Sequence, residues 1–248
     1  MSYKKLLTIK KKTSGRDSQG HISVRHHGGE HKRFLRIIDW KREKPGVEAR
    51  VVSIEYDPNR TANIALLSYV DGSKSYILAT SNLKVDDIIY SSNDTAPIKD
   101  GFRLPLKNIP VGVPIHGLEL TPGRGAQVVK SAGAAAYVQS IDGDKATIKL
   151  PSGEIRIFKS ESKATIGQVS NVEHVNLKLT KAGQSRHRGI RPTVRGVAQH
   201  PNSHPHGGGE GRSSVGMHPK TPWGRPAMGK KTRKLKKKSN RLIVKRAK

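Results

Sequence analysis

Cysteine is absent from the 248 residues, so no disulfide framework and no thiolate metal site can form, which fits a reducing compartment. Long apolar runs are missing too. The longest, Ala132 to Val138 and Ile64 to Val70, fall well short of the roughly 18 residues that would suggest a membrane span and read as buried strand or packed loop. Near the start, only Leu6, Leu7, Thr8 and Ile9 stand together between lysines, too short an apolar core for a secretory signal. Aromatic residues make up 4%, which argues against a sheet that offers platforms for stacked bases. Scarcest of all relative to need is negative charge, with 19 Asp and Glu against 47 Lys and Arg and a formal net charge of +28. Such a chain calls for a polyanion. Nucleic acid fits, bound through phosphate and released as salt rises, with an acidic membrane surface as the competing polyanion.

The charge is unevenly placed. Residues 1–35 carry nine basic and two acidic side chains, a net of +7, and read as a basic arm. Residues 36–180 carry 19 basic and 16 acidic groups, a net of +3, together with most of the Ile, Val, Leu and Tyr, and read as the globular part. Residues 181–248 carry 19 basic groups against Glu210 alone, a net of +18, with ten Gly and six Pro. Self-repulsion and the lack of core-forming residues predict that this extension is disordered alone in water and orders against a partner that supplies counter-charge.

In the middle, Val51, Val52, Ile54 and Tyr56 precede Asp57-Pro58-Asn59-Arg60, a composition that favours a turn. Ile64 to Val70 and Tyr76 to Ala79 flank Asp71-Gly72-Ser73, which suits a tight hairpin. A second meander is expected at Ala136 to Ile141, Ala146 to Leu150 and Ile155 to Phe158, joined by Asp142-Gly143-Asp144 and Pro151-Ser152-Gly153. Between them, Leu104 to Gly125 is rich in Pro and Gly and looks like a domain boundary. The expectation is a mainly β protein with little helix, built as two small barrels whose limited cores gain stability from a bound partner.

Several segments suggest chemistry. His204-Pro205-His206-Gly207-Gly208-Gly209-Glu210-Gly211-Arg212 gathers imidazoles, glycines, a carboxylate and an arginine. Its spacing matches no usual zinc motif, so no metal site is expected. His204 or His206 could serve as a general base, but only Glu210 is at hand to orient it. Glycines that let the backbone approach RNA closely are the better explanation, with His204, His206 and Arg212 as contacts. Arg186, Arg188, Arg191 and Arg195 alternate with small residues in an extended run suited to phosphate forks and base stacking, against the plainer alternative of a solvated charge run. Trp223 could stack on a base or anchor packing. Lys230, Lys231 and Arg233 open a terminal stretch without acid, fit for phosphates and also similar to a nuclear localisation signal. At the front, Arg25, His27, Lys32 and Arg33 repeat the tail's mixture of base, imidazole and glycine, which suggests that both arms meet one RNA environment.

The segments Arg25-His26-His27-Gly28-Gly29-Glu30-His31-Lys32, Glu55-Tyr56-Asp57-Pro58-Asn59-Arg60, Asn63-Ile64-Ala65-Leu66, Asn108-Ile109-Pro110-Val111-Gly112, Arg191-Pro192-Thr193-Val194-Arg195-Gly196 and His204 to Arg212 resemble the L2 family of large-subunit ribosomal proteins, bacterial type. The resemblance runs from about Gly15 to Lys248. It implies an OB-fold barrel in residues 36–108, an SH3-like barrel in residues 109–180, and basic extensions in residues 1–35 and 181–248 that enter large-subunit rRNA near the peptidyl transferase centre. It further implies RNA contacts at Arg60 and Lys130, and a functionally sensitive His204 that supports local RNA structure while rRNA carries out peptidyl transfer. Lys130 departs from the arginine usual in bacterial members and loses the planar fork. The N-terminal arm is shorter than theirs.

The function expected from the resemblance is a structural constituent of the large subunit that supports subunit association, tRNA binding and the peptidyl transferase region. Its partners would be large-subunit rRNA, other large-subunit proteins and, through an intersubunit bridge, the small subunit. No membrane partner and no cofactor of its own are expected, only magnesium associated with the rRNA. A cytoplasmic ribosome is the expected location, with an organellar ribosome left open by the sequence. The competing classes are a histidine-dependent transferase using His204, which would act without rRNA, and a free RNA chaperone, which would show no fixed stoichiometry on the large subunit.

Overall fold

The computed structural model describes residues 3–247; Met1, Ser2 and Lys248 lie outside the described residues. It contains two compact units, one of residues 3–10, 32–178 and 241–247 and one of residues 11–31 and 179–240.

The first unit is mainly β. β1 (Leu7–Ile9) and β2 (Phe34–Arg36) form a two-stranded ribbon. β3 (Ala49–Glu55), β4 (Ile64–Tyr69), β5 (Lys74–Leu78) and β6 (Ile88–Ile89) form an antiparallel sheet in the order β5-β4-β3-β6. β7 (Arg103–Pro105), β8 (Pro114–His116), β9 (Ala136–Asp142), β10 (Lys145–Lys149), β11 (Ile155–Lys159), β12 (Lys163–Ile166) and β13 (Ile243–Lys245) form a second, in the order β13-β11-β10-β9-β8-β12-β7. The sheets fit an OB-type barrel followed by an SH3-like barrel. Both meanders expected from the sequence are present, with their turns where Asp71-Gly72-Ser73 and Asp142-Gly143-Asp144 place them.

The pattern of burial explains why these segments are strands. In β10, Ala146 and Ile148 point into the core while Lys145 and Lys149 face outward, the period-two alternation of a half-buried strand. β4 instead is buried on both faces. Ala65 and Leu67 join Val51, Ile77 and Ile89 in one cluster, while Ile64 and Leu66 join Tyr76, Leu78 and Val169 in another. Val169 follows β12, and its bridge to Thr80, with the Ser170 N–H donating to the Ala79 carbonyl at 3.0 Å, ties the second barrel to the first. The Pro- and Gly-rich segment between the meanders supplies wall as well as connection, since it provides β8 and part of β7. The far C-terminus also returns to a sheet, as β13 pairs with β11.

Beneath the first barrel's junction with the second lies a set of buried charges. The Arg103 guanidinium donates to Glu119 Oε1 at 2.9 Å and to the Gly117 carbonyl at 3.0 Å. The Glu119 carboxylate also accepts from the backbone N–H groups of Gly123, Gly125 and Lys163, each at 3.1 Å. A buried pair adds little net stability by itself, but removing one partner leaves an uncompensated charge and costs about 3–5 kcal/mol. Its structural effect here is to hold the loop from Gly123 to Gly125. Arg42, also buried, donates to the Gly101 carbonyl at 3.4 Å. Burial first, and then the nearby Arg103, lowers its pKa to about 10.

His116 is 1% exposed, and its Nδ1–H donates to the Gly167 carbonyl at 2.8 Å. Burial is the main reason that its pKa falls from 6.5 to about 4; Arg42 and Arg103 lower it further, against the opposing effect of the Gly167 hydrogen bond. Below pH 6.5 the unfolded chain therefore binds a proton that the folded chain refuses until about pH 4. Stability should fall by about 3 kcal/mol as pH drops through that window. Denaturant unfolding of the purified chain at pH 7 and pH 4.5 checks this. His116→Gln should flatten the acid limb, and an unchanged limb in that variant would place the acid sensitivity elsewhere.

Candidate nucleic-acid interface

In the first unit, the interface starts with a turn. After β3, the fully buried Asp57 accepts the Asn59 N–H at 2.9 Å and binds the Arg60 Nε at 2.6 Å. This sets Arg60 over the ring of Trp40, 5.3 Å from its centroid. Lys130 stands over the same ring, with Nζ at 4.4 Å. Such cation–π contacts contribute about 0.5–1 kcal/mol each at exposed sites.

Lys130 reaches the ring through the second barrel. The Trp40 carbonyl accepts the Ala126 N–H at 2.8 Å, and a Cβ on Gly125 would lie 2.9 Å from that oxygen. Gly125 has φ +81° and its N–H is held by Glu119, so both close approach and backbone conformation call for glycine. Next to Lys130, Val129 has φ 56°, a strained conformation for a β-branched residue that persists only where the surroundings impose it. Here the Val129 side chain is in the second barrel's core, and its carbonyl accepts the Gly117 N–H at 2.9 Å.

Two cations thus contact one aromatic ring. Burial, with the Arg60 charge adding to it, lowers the Lys130 pKa. A phosphate placed between them would relieve the repulsion. A groove of about 1040 Å³ in the same unit has the opposite sign: Glu48, Asp86, Asp87 and Asp100 line it, with Lys99 the one cation among its lining residues. Its charge disfavours phosphate, so the Trp40 face is the better candidate.

The second unit brings the two arms together. α1 (Ala182–His187) is the one α-helix among the described residues. Beyond it, His27 and Ile190 form an antiparallel bridge, the Gly28 N–H donates to the Gly189 carbonyl at 2.8 Å and the Arg191 N–H to the His26 carbonyl at 3.1 Å. His31 and His187 pack with ring centroids 4.2 Å apart. His204 is 8% exposed. Its ring lies so close to Gly196 that an added Cβ would sit 2.6 to 2.8 Å from ring atoms. Its Nδ1 accepts the His206 N–H at 3.1 Å, while His206 Nε2 accepts the Lys220 N–H at 2.8 Å. His204 is therefore built into the backbone framework of the tail.

Of the residues named from sequence, Arg60 and Lys130 meet at Trp40, Arg25, His27 and Arg191 gather where the arms pair, and His204 contacts His206. Arg33 adjoins the Arg60 turn and Arg186 the pairing of the arms, and the rest lie apart. Arg33 donates to the Pro58 carbonyl at 2.8 Å, and Lys32 is exposed in the same unit. Arg186 and Arg188 are at the end of α1 and just beyond it, while Arg195 and Arg212 are exposed. Trp223, 72% exposed, occupies the tip of a turn closed by a Lys220–Pro226 bridge. Lys230 and Lys231 are exposed, and Arg233 binds Asn240 at 2.6 Å and Ser239 at 2.9 Å. Trp40 and the Arg103–Glu119 pair escape the sequence reading; the only mark on Trp40 is that it is one of two tryptophans.

RNA phosphate favours the charged form of Lys130, so affinity should fall as pH rises through that residue's lowered pKa. The direction can be checked by measuring RNA affinity from pH 7.5 to 10.5 for the full chain and for Lys130→Arg. The native chain should begin to weaken at the lower pH. Superimposable profiles would remove Lys130 from the contact.

No helix among the described residues is long and apolar enough to cross a membrane. Two family models match the chain: the RNA-binding N-terminal domain of Ribosomal Proteins L2 over residues 3–91 and their C-terminal domain over residues 99–224. These matches cover most of the sequence, and the chain belongs to the ribosomal protein L2 family.

Proposed function

We propose that this chain is a structural constituent of the large ribosomal subunit that binds large-subunit rRNA, and that it acts as scaffold with no reaction of its own. Family membership supports the ribosomal, RNA-binding role. The observation that carries the local proposal is the convergence of Arg60 and Lys130 on Trp40, a positive site held from below by buried Asp57 and Glu119. In this proposal the barrels of residues 36–108 and 109–180 position that site, and the extensions of residues 1–35 and 181–248 carry the larger phosphate-binding charge.

The finer role is support of subunit association, tRNA binding and the peptidyl transferase region, with rRNA-associated magnesium, neighbouring large-subunit proteins and a bridge to the small subunit as its surroundings. His204 belongs to this proposal as a positioning residue. Its ring packs on Gly196 and one of its nitrogens accepts a backbone N–H, which fits shaping of the tail better than free general-base chemistry.

The test is sedimentation of a cell lysate through a sucrose gradient in moderate magnesium, followed by a high-salt run. The chain should appear once per large subunit, and an Arg60→Gln/Lys130→Gln double variant should be released at lower salt, since each lost phosphate contact weakens the RNA complex. A chain that stays in the soluble fractions, or spreads over bulk RNA, contradicts the proposal and favours a free RNA chaperone.

A further inference from the structure

We propose that residues 14–29 together with Arg191 form a pocket for a single unpaired nucleotide of RNA, whose phosphate is held jointly by Arg25 and Arg191. The proposal rests on the rRNA-binding reading above and assigns it a discrete site. A cavity of about 420 Å³ opens in the second unit where the arms pair. That volume is at the lower end of the roughly 300–1,000 Å³ typical of small-molecule sites; it suits one nucleotide and is too small for a stretch of helix.

The lining has the chemistry for such a guest. Arg16, Arg25 and Arg191 contribute three guanidinium groups, His26 and His27 contribute imidazoles, and no carboxylate is among the lining residues. Arg16 is already engaged, donating to the Gly20 carbonyl at 2.6 Å. Arg25 and Arg191 have no side-chain partner among the described residues. Ile22 and Val24, both more than half exposed, add an apolar wall on which a base could lie. Single-stranded RNA is recognised by charged forks on phosphate and by imidazole or guanidinium planes on which an unstacked base can stack, and the lining offers both in its arginines and in His26 and His27.

The outline of the pocket is set by the chain's own backbone contacts. The Gly15 carbonyl accepts the N–H groups of Ser23 at 3.0 Å and Val24 at 2.9 Å, and Arg16 bridges to Ile22. Gly15 has φ +72°, and a Cβ there would fall on the Val24 carbonyl, so the loop closes only with glycine. Asp17 accepts the N–H groups of Gln19 at 3.0 Å and His21 at 2.9 Å and fixes the turn. Arg191 comes from the other arm, placed by the Arg191 N–H to His26 carbonyl bond and the His27–Ile190 bridge. Neither arm alone supplies both arginines.

A free nucleotide presents the same phosphate chemistry, and the experiment separates the two sources. Affinity of the full chain for large-subunit rRNA is measured against salt for the native sequence, Arg25→Gln, Arg191→Gln and the double variant. Adenosine monophosphate is titrated as the small probe, and nucleotide-by-nucleotide acylation of the RNA 2′-hydroxyls is recorded for each complex. Each single variant should lose roughly tenfold in affinity, as expected for one charge-assisted contact. The double variant should lose less than the product of the two, with the salt slope falling by about one phosphate's share, roughly 0.7 to 0.9. One unpaired nucleotide protected by the native chain should become reactive in all three variants.

Losses that multiply, or protection that persists in all three variants, would overturn the shared pocket even if the variants bind more weakly. Tight binding of adenosine monophosphate that the variants abolish, with RNA affinity unchanged, would assign the pocket to a free nucleotide instead. If the native chain binds no large-subunit rRNA at all, the ribosomal reading fails first and takes the pocket with it.

Discussion

Repulsion between positive charges that the chain does not itself neutralise is the constraint on which the rest depends. With 47 basic groups against 19 acidic ones, the carboxylates must be used where they matter most. Several are spent on geometry. Asp57 orients Arg60, Glu119 meets Arg103 and three backbone N–H groups, and Asp39 accepts from the Arg42 N–H at 2.7 Å. Each replaces water around a group that the fold has buried, which is the condition under which a buried charge is tolerable. The residual positive charge is left at the surface, where it can attract phosphate and release counterions.

The route from core to surface can be followed atom by atom. Arg103 holds Glu119, Glu119 holds the N–H groups of Gly123 and Gly125, and Gly125 fits against the Trp40 carbonyl. Lys130 leaves the same segment and passes over the Trp40 ring. Neither barrel would form the Trp40 site alone, since Arg60 and Trp40 come from the first half of the unit and Lys130 from the second. A protein that uses two small barrels in this way gains a rigid pair of cations without needing a large core. The second unit works differently: two basic arms that carry little hydrophobic area pair through their backbones, and His204 packs into the tail.

Much of the fold is legible in the sequence because hairpins are local. Asp71-Gly72-Ser73 sits between segments that alternate or are continuously apolar, and Lys145 to Lys149 shows its inward Ala146 and Ile148 directly. What remains hidden is non-local. Nothing near Trp40 marks it as the partner of Lys130, 90 residues away, and the Arg103–Glu119 pair looks like any two surface charges until the strands bury it. The strained φ of Val129 has no sequence signature, because valine is ordinary in a strand and rare in that conformation. β13 is hidden for another reason: Leu242, Ile243 and Val244 form a short apolar run inside a strongly basic stretch, where composition outweighs three residues. The family resemblance supplies Arg60, Lys130 and His204, and the structure adds the groups that hold them.

Lysine acetylation, read residue by residue in the free chain and in its complex with large-subunit rRNA, tests the central claim most directly. If uncompensated positive charge at the Trp40 site and along the tail meets the phosphate while the acidic groove faces away, Lys130, Lys230 and Lys231 become protected and Lys99 keeps its reactivity. Lys130 reacting equally in both states, with Lys99 protected instead, would contradict the account.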